Sequence, residues 1–227
     1  MSVSVPKSAF TYLKKLEKNN DRDWFNDNKT EFQAIQKEIK VFFNELMAQL
    51  NEHDEIDKLK IFRIYRDVRF SKNKLPYKTH FSGSFHRTKP RLRGGYHVQI
   101  KPNNETFIAT GFWDPAPADL MRIRKEYEMD DSEIREIINE KIFKKTWGGF
   151  VGDEVKTAPR GFNKEDKAID LIKKKQYIFI KKYADAEVLS PNFINEVSAD
   201  FKVIRPFFNY MSDVLTTDLN GVSLIED

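Results

Sequence analysis

The sequence predicts an α+β fold: a mainly antiparallel sheet packed against several helices, with a long N-terminal helix and a long, kinked C-terminal helix. Three observations carry this. Apolar residues recur at three- and four-residue steps from Phe25 to Leu50 and again from Phe193 to Leu215. Short alternating runs pair across turn signals, as at Tyr96–Ile100 and Thr106–Trp113. Helices and strands are interspersed without the regular alternation that builds a parallel sheet. No repeat or linker-like stretch interrupts the 227 residues, which predicts a single domain over 1–227.

Taken in order, Ser8 to Leu16 reads as a short amphipathic helix with Phe10, Leu13 and Leu16 on one side, closing at Asn19-Asn20. Asp21 or Asp23 caps a second helix running to Asn51, and Trp24 and Phe25 anchor the joint between the two. After a polar linker, Glu52 to Lys58, the run from Ile61 to Arg69 reads as a strand that spills into a basic turn over Ser71 to Pro76. Phe62, Ile64, Arg66, Val68 and Phe70 share one face of that strand, and Ile61, Arg63, Tyr65, Asp67 and Arg69 the other. Leu75-Pro76 biases the exit towards an extended segment carrying Tyr77, Lys78 and His80. Ser82 to Gly95 reads as a polar, basic, mobile loop. A hairpin turning at Pro102-Asn103-Asn104 follows, then helices opened by Asp114-Pro115 and by Asp130, with Ile134, Ile137, Ile138 and Ile142 as the buried stripe of the second. Tyr177 to Tyr183 is a strand, and Ser190-Pro191 opens the last helix, which Pro206 kinks.

Composition narrows the chemistry. Cysteine is absent, which excludes disulfides, thiolate nucleophiles and cysteine metal sites, and predicts a reducing compartment. No apolar run approaches the roughly 20 residues of a spanning helix, and Met1 to Phe10 lacks a signal-peptide core, so the chain reads as cytoplasmic and without a membrane partner. Four scattered histidines form no local ligand set, and neither a phosphate loop, a dinucleotide fingerprint nor a nucleophile elbow appears; no metal and no cofactor are expected. The net charge of +4 conceals an asymmetry. Lys60 to Arg93 holds eleven Lys/Arg and one acid, Asp67, leaving 28 basic and 34 acidic residues elsewhere. Concentrated positive charge suits a local anionic ligand better than a long nucleic-acid track.

The candidate site follows from that concentration. Arg63, Tyr65 and Arg69 on one strand face, with Lys72, Tyr77 and Lys78 beyond the turn, can clamp a phosphate or carboxylate through forked and point-charge contacts. His80 is the candidate proton carrier and Asp67 its orienting group or base. Arg66, among apolar neighbours, is assigned to the scaffold and expected to pair with a buried carboxylate. The bland alternatives are that Asp67 pairs with Arg69, and that Tyr77, His80 and Asp67 only brace the turn. The reading is therefore a protein that binds a small phosphorylated or carboxylated molecule, either as a binder or as a cofactor-independent enzyme using one proton transfer. Its rivals are nucleic-acid binding, through Phe81, Phe85 and Tyr96 among Arg87, Arg91 and Arg93, and a non-catalytic protein-interaction module presenting the C-terminal helix.

Three separated stretches carry a resemblance: Asn19-Asn20-x-Arg22-x-Trp24-Phe25-x-x-Asn28-Lys29; the whole of Phe62 to His80; and Pro159-x-Gly161-Phe162 followed by Leu171-x-x-x-Lys175-x-Tyr177. In that order and spacing the chain resembles the family known as domain of unknown function 2461 over nearly its entire length. The resemblance brings no activity, substrate or cofactor with it. It implies an Asp-His-Pro sequence after the Pro-x-Gly-aromatic turn, where this chain reads Glu165-Asp166-Lys167, and a more glycine-rich hairpin than Ala109-Thr110-Gly111-Phe112-Trp113. If that histidine served as a general acid or base in the family, this chain would lack it.

Overall fold

A computed structural model of the protein describes residues 3–225. The chain opens with helices α1 (Lys7–Lys18), α2 (Arg22–Asp27) and α3 (Lys29–Leu50), followed by strands β1 (Ile56–Ile61), β2 (Phe81–Arg87), β3 (Gly95–Ile100) and β4 (Thr106–Phe112). Helices α4 (Pro117–Met129), α5 (Ser132–Asn139), α6 (Lys141–Trp147) and α7 (Ile169–Ile172) lead to strand β5 (Tyr177–Tyr183). The chain closes with α8 (Asp185–Val188), α9 (Phe193–Val203) and α10 (Arg205–Thr216). The five strands form one antiparallel sheet in chain order, so the α+β class holds. The chain condenses into two compact units, each assembled from separated segments.

The first unit takes the chain up to Phe85, His97–Ile108 and Lys182–Ala199. Its centre is α3, whose stripe of Phe32, Ile35, Ile39, Phe42, Phe43, Leu46 and Leu50 is buried as its period predicts. Phe32 stacks on Phe81 of β2, and Phe43 meets Phe85. Gly83 lies between those two strand residues because a Cβ there would come within 2.8 Å of the Phe43 ring, so α3 sits close enough to the strand to exclude any side chain at that position. Phe42 stacks on Phe193, and the Asn103-Asn104 turn donates both amides to the Asp185 carboxylate.

The second unit takes His86–Tyr96, Ala109–Lys181 and the chain from Asp200. Phe207 and Phe208 of α10 form its core with Tyr96, Phe112, Phe150 and Phe179. Arg87, only 1% exposed, donates to the Arg93 carbonyl and lies over the Phe208 ring. Gly111, at φ +117°, packs where a Cβ would overlap the Tyr177 carbonyl, so the hairpin needs one glycine there and its backbone is covered by β5. Asp166 accepts the Ala168 N–H, which gives the Glu165-Asp166-Lys167 stretch an Asx turn ahead of α7.

Several expectations are corrected. The second helix divides at Asn28 into α2 and α3, with Asp21 capping α2 through the Trp24 N–H. Ser82 to Arg87 is strand, not mobile loop; Phe81, Gly83, Phe85 and Arg87 are its inward positions, and the serines between them disguised the alternation. The last helix is broken into α9 and α10 at Ile204, with Pro206 in the first turn of α10, where its missing N–H costs nothing. Ile142 belongs to α6 and is exposed.

The largest correction concerns residues 62–80. Strand β1 starts earlier, at Ile56, and ends at Ile61; Phe62 still donates to the Ser82 carbonyl, but beyond it the chain pairs with its own return. Arg66 N–H donates to Pro76, Lys78 N–H donates to Ile64, and between them Tyr65 and Tyr77 form one isolated antiparallel bridge. In that geometry Tyr65 and Tyr77 are a non-hydrogen-bonded pair, so the backbone groups of Tyr77 point away from the loop. The carboxamide of Asn20 meets both: Nδ2 donates to the Tyr77 carbonyl at 3.0 Å, and Oδ1 accepts the Tyr77 N–H at 3.1 Å. On the ring side Phe25 stacks on Tyr77 at 4.0 Å and 13°. The result is a loop with a clamped neck and a tip, residues 67–75, at which Phe70 is 96% exposed.

Asn20→Ala leaves two partly buried backbone groups unpaired, and it is expected to cost about 1–3 kcal/mol in urea unfolding. Amide exchange at Arg66 and Lys78 should accelerate in the same variant. Wild-type stability and exchange would show that the neck does not depend on Asn20.

Candidate functional site

Three depressions border the loop among the described residues, and they share one side chain, Arg66. The first, about 360 Å³, is lined by Arg63, Tyr65, Arg66, Asp67, Val68 and Arg69. Here the one acid, Asp67, is spent on Arg69, while Arg63 and Arg66 have no acid partner among the described residues. Arg69 grips Asp67 in a fork, Nε to Oδ1 at 3.0 Å and Nη2 to Oδ2 at 2.7 Å, and the Arg69 N–H adds a third contact. That side-chain fork, then the backbone bond and the charge of Arg63, holds the Asp67 carboxyl below its usual range. Both side chains are largely exposed, so the fork organises the loop tip more than it stabilises the protein.

The second depression, about 320 Å³, gathers Tyr77, Lys78 and His80 with Arg66, Lys101 and Glu17. Its composition differs in kind. Among the described residues neither Arg66 nor Lys78 has an acid partner; the Lys78 ammonium lies over the Phe62 ring, beside that of Lys60. Burial lowers the pKa of Lys78, and the charges of Arg66, Arg63 and Lys60 push it the same way. Lys101 is paired with Glu105 at 2.6 Å. His80 makes no hydrogen bond among the described residues. Burial, then the charges of Lys78 and Lys101, His97 and Arg66, lowers its pKa to about 4. At neutral pH the His80 ring is therefore uncharged, with one N–H to donate and one lone pair to accept. Next to it His97 bonds Ser84 Oγ through Nδ1 at 3.0 Å and is also lowered to about 4, by burial and then by Lys78.

The third depression, about 320 Å³, is walled by Arg22 and Asn26 of α2 with Tyr65, Arg66, Val68, Pro76 and Tyr77. Arg22 and Asn26 stand four residues apart and share one face of the helix.

The expected site residues are thus brought together in two groups. Arg63, Tyr65, Asp67 and Arg69 share one hollow; Tyr77, Lys78 and His80 share another; Lys72 lines neither. Asp67 faces Arg69, and no contact joins it to His80. Arg66 is corrected in both respects: it is exposed and has no carboxylate partner among the described residues, because the strand face that would have buried it ends at Ile61. Residue-by-residue alternation missed Asn20, Arg22, Asn26 and Lys101, which arrive from other elements. The signal for the first two was present in the Asn19-Asn20-x-Arg22 motif, which meets the Phe62 to His80 motif in space. Among the described residues no group of three or more His, Asp or Glu side chains is arranged to hold a metal ion, and no helix is long and apolar enough to cross a membrane.

The chain is an α+β protein built on an antiparallel sheet, with a cation-lined hollow at the neck of a long loop. The chain belongs to the family described as Conserved hypothetical protein (DUF2461), which it matches over residues 8–210. Comparison with curated proteins and with solved structures returns no match.

The depressed histidines give a pH dependence. Below the ordinary value near 6.5 the unfolded chain takes up protons that folded His80 and His97 refuse, so stability is full above about pH 6.5 and falls as pH drops towards 4. Urea unfolding across pH 4–7 should show this decline, and His80→Gln should shallow it. A flat profile would contradict the burial of both rings.

Proposed function

We propose that the protein binds a small phosphorylated or carboxylated molecule in the hollow shared by Arg66, Lys78 and His80. One observation carries the reading: among the described residues, two cations that form no ion pair share a 320 Å³ hollow, in which Glu17 is the one acid, with a neutral imidazole that makes no hydrogen bond. Like charges held together raise the energy of the empty site, and an anion relieves that repulsion while accepting hydrogen bonds from all three groups. The hollow lies at the small end of ligand-site volumes, which suits a metabolite-sized anion. Glu17 on the rim accepts hydrogen bonds, so a ligand carrying hydroxyls beside its anionic group is favoured over a bare anion. A bound anion also raises the affinity of His80 for a proton, so one proton transfer at His80 is the chemistry open to the site, and Asp67 plays no part in it.

A second reading rests on Phe70. An almost fully exposed phenylalanine with the Arg69 guanidinium 6.0 Å from its ring centroid offers a stacking surface of the kind that single-stranded nucleic acids use. Steep salt dependence of oligonucleotide affinity, lost in Phe70→Ala, would favour it.

Calorimetric titration with sugar phosphates and dicarboxylates tests the first reading. Saturable binding is expected, and Arg66→Ala and Lys78→Ala should each weaken it by about tenfold, the scale of one charge-assisted hydrogen bond. Arg69→Ala should change it by less than about twofold, because that guanidinium is committed to Asp67. Absence of binding, or equal loss in all three variants, would contradict the assignment.

A further inference from the structure

The hollow that holds Arg66, Lys78 and His80 is adjoined by another of equal size, and the two share Arg66 and Tyr77 as common wall. The second hollow is built differently. It contains no lysine, no histidine and no acid; its other polar groups are the Arg22 guanidinium, the Asn26 carboxamide and the Tyr65 hydroxyl. Tyr65 is 49% exposed, and its ring is tilted at 55° to the buried ring of Tyr77, which leaves ring surface open to the solvent. The Asn26 carboxamide has no hydrogen-bond partner among the described residues, so both its donor and its acceptor are available.

These features suit a planar, hydrogen-bonding ring. Aromatic rings and guanidinium groups stack on a heterocycle whatever its identity, and a free carboxamide can satisfy a donor and an acceptor on one edge of it. Neither hollow alone exceeds the low end of ligand-site volumes, but joined across Arg66 they offer about twice that. We propose that the ligand of this site is a nucleoside monophosphate in chemical class, its phosphate between Arg66, Lys78 and His80 and its base in the hollow of Tyr65, Arg22 and Asn26. The inference rests on the anion-binding reading above and adds to it the chemistry of the ligand's other end.

Titration of the full chain with inorganic phosphate, ribose 5-phosphate and the 5′-monophosphates of the four common nucleosides, at one ionic strength, separates the two. At least one nucleotide is expected to bind about tenfold tighter than ribose 5-phosphate, the scale of one base–aromatic stack. That advantage should shrink to within about twofold in Tyr65→Ala and in Asn26→Ala, both of which change exposed side chains. Phosphate and ribose 5-phosphate binding with no nucleotide advantage, or with an advantage that survives both substitutions, overturns the inference and leaves the anion reading standing. An oligonucleotide that outcompetes every mononucleotide also overturns it, in favour of a polymer ligand. No binding by any of these phosphates overturns the inference and the phosphate form of the anion reading together.

Discussion

The candidate site depends on how one residue, Tyr77, is held. Its ring lies flat on Phe25 and its backbone is bracketed by the Asn20 carboxamide, which supplies the donor and acceptor that a neighbouring strand would otherwise provide. Asn20 can do this because it sits in the short joint between α1 and α2, where Asn19 closes the first helix and Asp21 caps the second. With Tyr77 fixed, the two flanking hydrogen bonds tie Arg66 to Pro76 and Lys78 to Ile64. A loop that would otherwise be a long mobile insertion is pinned at its neck, so Arg66, Lys78 and His80 come from a defined backbone while the tip stays exposed.

The electrostatics of the loop divide along the same line. At the tip, the one acid, Asp67, is forked by Arg69, and the Lys74 ammonium donates to the Val68 carbonyl. At the neck, Arg66 and Lys78 form no ion pair among the described residues and line a hollow whose one acid is Glu17; burial, then the proximity of the cations, keeps His80 neutral at physiological pH. Under the proposed reading such an arrangement is costly in the free protein and favourable once an anion enters, the general form of a site whose stability has been traded for binding. An anion in the hollow would also restore the proton affinity of the His80 imidazole.

Much of the fold was legible because its period is imposed by burial. The stripe of α3, the β3–β4 hairpin with its two asparagines at positive φ, and β5 all follow from apolar spacing and turn chemistry. The loop was misread for a physical reason. Phe62, Ile64, Val68 and Phe70 alternate like a strand face, yet Ile64 is 3% exposed and Phe70 is 96% exposed, because alternation states which residues share a side and not whether anything covers that side. The basic concentration pointed to the segment that carries Tyr77, Lys78 and His80, which the fold brings to one hollow. It missed that Arg66 is the residue common to all three hollows, and that Asn20, Arg22, Asn26 and Lys101 complete their walls; those are tertiary facts, carried by residues far from the loop in sequence.

The central claim, that Arg66, Lys78 and His80 form one anion site, is tested most directly by following the His80 ring resonances by NMR during a pH titration, with and without sulfate at matched ionic strength. Sulfate mimics a phosphate group and keeps its charge across the whole range. His80 is expected to titrate near 4 in chloride and to move up by a unit or more when sulfate fills the hollow, while the exposed His86 does not respond. A His80 titration that is the same in both salts would contradict the account.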